Sequence, residues 1–255
     1  MKAEELKRLK GVRKVTMLSA YDYQTAMILD KAGIDIILVG DSLGVVVLGY
    51  EDTKQVTMAD MTRHVGAVAR GAKSAHVVGD MPIASYDNVD DALRNAQTLL
   101  DVGADSVKLE GLNRSVIEAL TSSGVPVMGH LGLQPQTAEK IKVKGKKVDE
   151  AERIYSEAKT LGSLGAYSMV LECVPSKLAE KVTGGVEAIT LGIGAGPRCD
   201  GQVLIINDML GMKEGLKFKH VKLYANLSQV ISDAVTRYIE DVETGRFPGE
   251  EHALG

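Results

Sequence analysis

Ile36-Ile37-Leu38-Val39-Gly40-Asp41-Ser42 reads as a short β-strand with no polar face, halted by a glycine and followed at once by an acid and a hydroxyl. Four successive apolar side chains leave neither face to water, the pattern of a parallel strand covered by helices on both sides. Val203-Leu204-Ile205-Ile206 has the same form. Outward from Ile36, apolar β-branched runs alternate with helical periodicity, the mark of α/β architecture. The runs that qualify as strands are Val15–Ser19, Ile36–Val39, His76–Gly79, Ser106–Leu109, Val125–Gly129, Ser168–Leu171, Ala188–Ile193 and Val203–Ile206. Between them apolar residues recur at helical spacing, as in Met61/Val65/Val68, Leu93/Ala96/Leu100 and Ile154/Ala158/Leu161. A further amphipathic helix is expected over Leu227–Val242. Eight strand–helix units of about 31 residues need roughly 250 residues, and the chain has 255. No Pro/Ser-rich linker divides it, so a single (β/α)8 TIM-barrel catalytic domain over 1–255 is expected. An open doubly wound sheet is the rival, because eight parallel strands do not by themselves prove closure.

Composition narrows the function classes. Thirty basic residues are scattered among 34 acidic ones, giving a net charge of −4 with no basic stripe, which speaks against a nucleic-acid partner. The basic run Lys140–Lys147 reads as a solvated loop. No apolar run reaches the roughly 18 residues of a membrane span, and the first residues lack the apolar core of a signal peptide. Cys173 and Cys199 form no CxxC pair, so neither a disulfide framework nor a zinc site is indicated, and a cytoplasmic setting is expected. With two Phe and no Trp, aliphatic side chains and Met must fill the core.

Chemistry enters just past the strands. Asp41-Ser42 follows strand two, Asp80 strand three, Glu110 strand four, His130 strand five and Glu172 strand six. In a parallel barrel these positions converge on the C-terminal mouth, where barrel active sites lie. Asp41, Asp80 and Glu110 would face one another, each raising the others' pKa unless a cation sits among them. Oxygen-only ligation suits a hard ion such as magnesium; helix capping is the plainer role for each acid taken alone. Lys108 lies two residues before Glu110 and so shares its face of the strand. It needs a negative partner, either a substrate carboxylate or a core carboxylate. Glu172 follows Met169-Val170-Leu171, and apolar company should raise its pKa and suit it to take a proton from carbon. Cys173 faces the other way and reads as packing. His130 is an accessory candidate, as proton carrier or as structural hydrogen-bond partner. The glycine-rich Gly192–Pro197 lacks the order of a dinucleotide fingerprint.

Taken together, these segments resemble the ketopantoate hydroxymethyltransferase family. The matching stretches include Met17–Tyr23, Leu38–Gly44, Val107–Gly111, Val127–Gln136, Val170–Pro175, Gly192–Gly196, Cys199–Leu204 and Phe247–His252, nearly the whole chain in order. The resemblance implies a magnesium-dependent barrel that condenses 3-methyl-2-oxobutanoate, a 2-oxo acid, with 5,10-methylenetetrahydrofolate. It assigns metal contact to Asp41, Asp80 and Glu110, substrate contact to Asp41, Ser42, Asp80 and Lys108, and proton abstraction to Glu172. It also implies pantothenate and coenzyme A synthesis, a cytoplasmic location and a homodecamer built as a pentamer of dimers. The chain departs from the family pattern at Lys140-Ile141, Ile189-Thr190 and Asn207, which bear on the lid and the folate side. A carbon–carbon lyase or mutase of the phosphoenolpyruvate mutase and isocitrate lyase kind is the alternative on a related barrel, and a non-catalytic oxo-acid-binding barrel the third reading. The loop after strand five shows His130 and no Cys, whereas isocitrate lyase carries a catalytic Cys in a mobile loop.

Overall fold

β1 (Val15–Ser19) pairs in parallel with β2 (Ile36–Val39) on one side and with β8 (Gly201–Leu204) on the other, so the sheet closes on itself. The intervening strands are β3 (His76–Asp80), β4 (Ser106–Lys108), β5 (Val127–Gly132), β6 (Ser168–Glu172) and β7 (Ile189–Ile193), each parallel to its neighbours and in chain order. The Val15↔Gly201 and Met17↔Val203 pairings decide against the open sheet. This computed structural model describes every residue except Glu139, Ile141, Lys213, Glu214, Leu216, Lys217 and Gly255. Part of the Lys140–Lys147 loop reading, at Ile141, therefore lies outside the described residues.

Four strands, β3, β4, β6 and β7, shift by one residue at one end, and two differ from expectation by more. β8 begins at Gly201 and ends at Leu204, with Ile206 already helical. The apolar run pointed too far along the chain because register, rather than hydrophobicity, places this strand. A side chain on Gly201 would put its Cβ 2.2 Å from the Val15 carbonyl oxygen, so the closing pair depends on the bare backbone there. β5 starts after Pro126, which has no N–H to give the ladder, and runs on to Gly132. His130 is thus a strand residue and not a strand-end residue.

The helices follow as α1 (Ala3–Lys7), α2 (Tyr23–Lys31), α3 (Leu43–Val46), α4 (Met58–Gly71), α5 (Val89–Asp101), α6 (Arg114–Ser122), α7 (Val148–Ser163) and α8 (Ser176–Gly185). Side-chain caps start several of them: Asp22 accepts from the Thr25 N–H, Asn88 from Asp91 and Asn113 from Val116. Thr57 and Asp60 form a reciprocal capping box at α4. Met61, Val65 and Val68 are fully buried, as are Ala158 and Leu161, with Ile154 nearly so. On α5 the buried face is Ala92, Ala96 and Leu99, one position off the expected Leu93/Ala96/Leu100 stripe.

Met17, Ile36, Val78, Met128, Val170, Leu191 and Val203 pack with Ala3 and Leu6 of α1 into one core cluster. Fully burying a side chain of this size is worth about 1.5–3 kcal/mol. At the N-terminal end of the strands, His76 Nε2 lies 2.8 Å from Ser106 Oγ and 3.1 Å from the Tyr167 hydroxyl. Burial holds the His76 imidazole below its usual range, against the Met1 carbonyl and Asp105, which pull it up.

The chain divides into two compact units, Met1–Ile205 and Ile206–Gly255. The first is the barrel. The second contains α9 (Ile206–Met209) and α10 (Leu227–Glu243), the latter capped by Asn226. Val230, Ile231, Val235, Tyr238, Ile239 and Val242 of α10 are each 45–60% exposed. Among the described residues no helix is long and apolar enough to cross a membrane.

Candidate active site

The parallel strands deliver every candidate residue to one end of the barrel. Asp80, Lys108 and Glu172 are the last residues of β3, β4 and β6, Asp41-Ser42 lies two residues past β2, and Glu110 lies two past β4. Ser42 Oγ lies 2.8 Å from the Tyr21 hydroxyl.

Asp80 and Lys108 are register partners on adjacent strands. The Lys108 ammonium donates to both Asp80 oxygens at 2.7 Å, and both side chains are buried. Of the two partners the sequence left open for Lys108, the structure thus supplies the core carboxylate. Burial alone would push this ammonium down, but Asp80, Asp41 and Glu110 outweigh it and keep the charge. Asp41 is buried and close enough to Asp80 to repel it; burial first and the Asp80 charge second push its carboxyl up to about 7. The expected mutual raising therefore holds at Asp41. It fails at Glu110, where burial is outweighed by His130 and Lys108, which hold the carboxyl below its usual range.

His130 lies between two carboxylates. Its Nδ1 is 3.2 Å from Glu110 Oε1 and its Nε2 3.2 Å from Glu172 Oε2, with the ring almost wholly buried. Neither nitrogen is squarely aligned with its neighbour, so these are contacts of charge more than of hydrogen-bond geometry. Burial would depress the imidazole, yet Glu110 and Glu172 raise it to about 9, which makes it a cation near neutrality. The sign of the stability effect follows. A folded-state pKa above the unfolded value stabilises fully below pH about 6.5, and that contribution is lost as pH rises through about 9. Unfolding free energy measured in urea is expected to fall by up to about 3 kcal/mol over that window. The fall should shrink in His130→Asn, with the remainder confined to the Asp41 range near 7; identical slopes in both proteins would exclude His130 as its source.

Glu172 meets His130 rather than the wholly apolar surroundings that Met169-Val170-Leu171 implied, and its side chain is 19% exposed. Its backbone is fixed by Leu133, whose N–H donates to the Glu172 carbonyl at 2.9 Å. Gly132, at φ 95°, is required beside it, since a Cβ there would lie 2.2 Å from the same carbonyl oxygen. Cys173 is buried, and its thiol is pushed up to about 11 by burial and the Glu172 charge, in keeping with packing and not nucleophilic attack.

Two residues at the mouth escaped the sequence reading. Gln136 donates from Nε2 to Asp41 Oδ2 and to the Met81 carbonyl, both at 2.9 Å, and its backbone N–H donates to Glu110 Oε2 at 3.1 Å. The Tyr86 hydroxyl donates to Gln136 Oε1 at 2.5 Å. Gln136 was visible only as part of a matching stretch, and Tyr86 carried no signal.

Among the described residues no group of three His, Cys, Asp or Glu is arranged to hold a metal ion as it stands. Lys108 and Gln136 engage the acids instead. The donor set nevertheless suits a hard cation. Four carboxylates, Asp41, Asp80, Glu110 and Glu172, face two cations, Lys108 and His130, and Asp41 is driven upward by burial first and by the charges of Asp80 and Glu110 after it. Magnesium takes one or two carboxylates and keeps several waters, so convergence of all three acids is not required of it. A cavity of about 360 Å³ lies beside the mouth, lined among others by Gly111, Gly132, Gln134, Lys144, Arg153 and Glu157.

The barrel is shared with solved enzymes. It resembles 2,3-dimethylmalate lyase, a member of the PEP mutase/isocitrate lyase superfamily, with a TM-score of 0.61 and 16% identity over 99% of this chain and 91% of that one. Phosphoenolpyruvate phosphomutase from Streptomyces platensis subsp. rosaceus gives a TM-score of 0.64 at 14% identity, over 100% and 92% of the two chains. At such identities the likeness is one of fold: the class is a parallel (β/α)8 barrel with acids gathered at its C-terminal mouth. Sequence narrows this further. The family model for ketopantoate hydroxymethyltransferase matches residues 1–250. The 3-methyl-2-oxobutanoate hydroxymethyltransferase of Syntrophus aciditrophicus (strain SB) is 52% identical over 253 residues, covering 96% of this chain and 93% of its own. The protein of the same name from Acetivibrio thermocellus is 50% identical over 260 residues, covering 99% and 92%. The chain belongs to the ketopantoate hydroxymethyltransferase family of enzymes.

Proposed function

We propose that the protein transfers a hydroxymethyl group from 5,10-methylenetetrahydrofolate to 3-methyl-2-oxobutanoate, giving ketopantoate, and so serves pantothenate and coenzyme A synthesis. The observation that carries this reading is a buried cluster of acids at the barrel's mouth in which a partly exposed carboxylate, Glu172, stands against a buried charged imidazole, in a chain about half identical to proteins of that name. Asp41, Asp80 and Glu110 would hold magnesium. When bound, the ion supplies a Lewis acid at the keto acid's oxygens and so makes the neighbouring C3–H bond easier to break.

The chain's own groups do the rest. Lys108 sets a fixed positive charge in the mouth for an anionic substrate, and Ser42, next in sequence to Asp41 and hydrogen-bonded to the Tyr21 hydroxyl, offers a hydroxyl. Glu172 takes the proton from C3 through the oxygen not turned to His130. The C3 electron pair then forms a bond to the folate's methylene carbon, both C–N bonds to that carbon break, and water supplies the hydroxyl. The proton taken from C3 and one from water end on the two nitrogens as tetrahydrofolate leaves. Positioned general-base catalysis is typically worth about 10²–10⁴-fold. The cavity beside Gly111 and Gly132 offers room for the folate.

The same reading extends to the whole chain as one catalytic domain, acting in the cytoplasm as a homo-oligomer, a pentamer of dimers by family resemblance. The apolar face that α10 leaves exposed supports self-association. The direct test incubates the protein with magnesium, 3-methyl-2-oxobutanoate and methylenetetrahydrofolate and analyses the products. Ketopantoate is expected only when all three are present. Oxo-acid cleavage without folate would favour the lyase reading, and binding without turnover the non-catalytic one.

A further inference from the structure

We infer that Gln136 is a positioning residue that sets the metal-binding oxygens of the mouth, with Tyr86 orienting its amide; this rests on the magnesium reading above. The argument is one of geometry. From the segment that follows β5, this single residue reaches three other staves: by its side chain Asp41 past β2 and the Met81 carbonyl past β3 and, by its backbone N–H, Glu110 past β4. The amide is 1% exposed, and every polar atom of it is engaged. Both N–H bonds donate, to Asp41 Oδ2 and to Met81 O, while Oε1 accepts from Tyr86. The Tyr86 hydroxyl in turn accepts from the Glu110 N–H at 3.3 Å, which leaves its proton for Gln136 and fixes which end of the amide faces Asp41.

The consequence lies with the acids. Asp41 Oδ2 is claimed by Gln136, so Oδ1 is the oxygen turned loose for a cation. Glu110 is held through Oε2 by the same residue, so the two carboxylates cannot rotate independently. Two staves further on, Leu133 of the same segment holds the Glu172 carbonyl, which ties the positions of base and metal acids to one stretch of chain. Partners of this kind, one bond removed from the ligands, typically change metal affinity by about 10–100-fold when removed.

The test uses Gln136→Met, which keeps length and the backbone N–H but removes every side-chain donor and acceptor, and Tyr86→Phe, which removes one hydroxyl. Magnesium binding to the purified full chain is measured by calorimetry, alongside the unfolding midpoint without metal. Gln136→Met should bind magnesium about 10–100-fold more weakly, and Tyr86→Phe more weakly than wild type by a smaller factor. At saturating magnesium kcat should return toward wild type, a recovery that a merely loosened fold would not show. A folded Gln136→Met with wild-type or tighter magnesium affinity overturns the inference. If that variant does not fold, Tyr86→Phe decides, and unchanged affinity there overturns it equally. Wild-type protein that binds no magnesium would instead remove the metal reading on which this one stands.

Discussion

Exchange of the C3 hydrogen of 3-methyl-2-oxobutanoate into heavy water, with magnesium and without folate, is expected to fall about 10²–10⁴-fold in Glu172→Gln. The substitution preserves shape, and its amide oxygen can still face His130 Nε2, now 3.2 Å from the carboxylate. What it removes is the capacity to accept a proton from carbon. Oxo-acid and magnesium binding should survive, because the acids proposed to hold the metal lie past β2, at the end of β3 and past β4, whereas Glu172 ends β6. Leaving folate out confines the measurement to the first step, so a defect in folate binding cannot imitate the effect. Exchange at the wild-type rate in this variant would take the base role from Glu172.

Lys108→Met should have the largest effect on folding, about 3–5 kcal/mol, the usual result of stranding one member of a buried ion pair. Asp80 is 1% exposed and has the ammonium on both oxygens. Asp41 and Glu110 also lean on that charge. Met fills similar space, so little of the loss can be assigned to a cavity. The control is Lys108→Met combined with Asp80→Leu: with both partners gone the Asp80 charge is no longer stranded, and although Asp41 and Glu110 still lose the ammonium, part of the stability should return. Urea unfolding curves measure all three proteins. A single variant within about 1 kcal/mol of wild type, the range of exposed ion pairs, would show that the pair is not buried in the sense claimed.

The fold was legible because it rests on local signals. Apolar runs such as Ile36–Val39 and acids immediately past them survive any choice of neighbour, and both appear where expected. The closed barrel was expected from the chain's length, but the pairing that closes it and the bounds of β8 were not legible, because Gly201 and Gln202 become strand residues only through pairing with Val15 and Thr16. The same division runs through the site. Asp41, Asp80, Glu110 and Glu172 announce themselves by chemistry and position. The partner of Lys108 is decided by strand register, and Glu110 is held down by a histidine from the next stave. Gln136 was least accessible: an amide in a polar loop has no distinguishing pattern, and its importance comes from three elements distant in sequence.

His76 and His130 are buried at opposite ends of the same barrel and are driven in opposite directions, one toward the neutral ring and the other to about 9. Near neutrality neither switches. A modest drift around neutrality therefore leaves His130 charged. Asp41, pushed up to about 7 by burial first and the Asp80 charge second, lies between the two histidines, so at the working end a divalent ion would compete with hydrogen ions for a carboxylate oxygen.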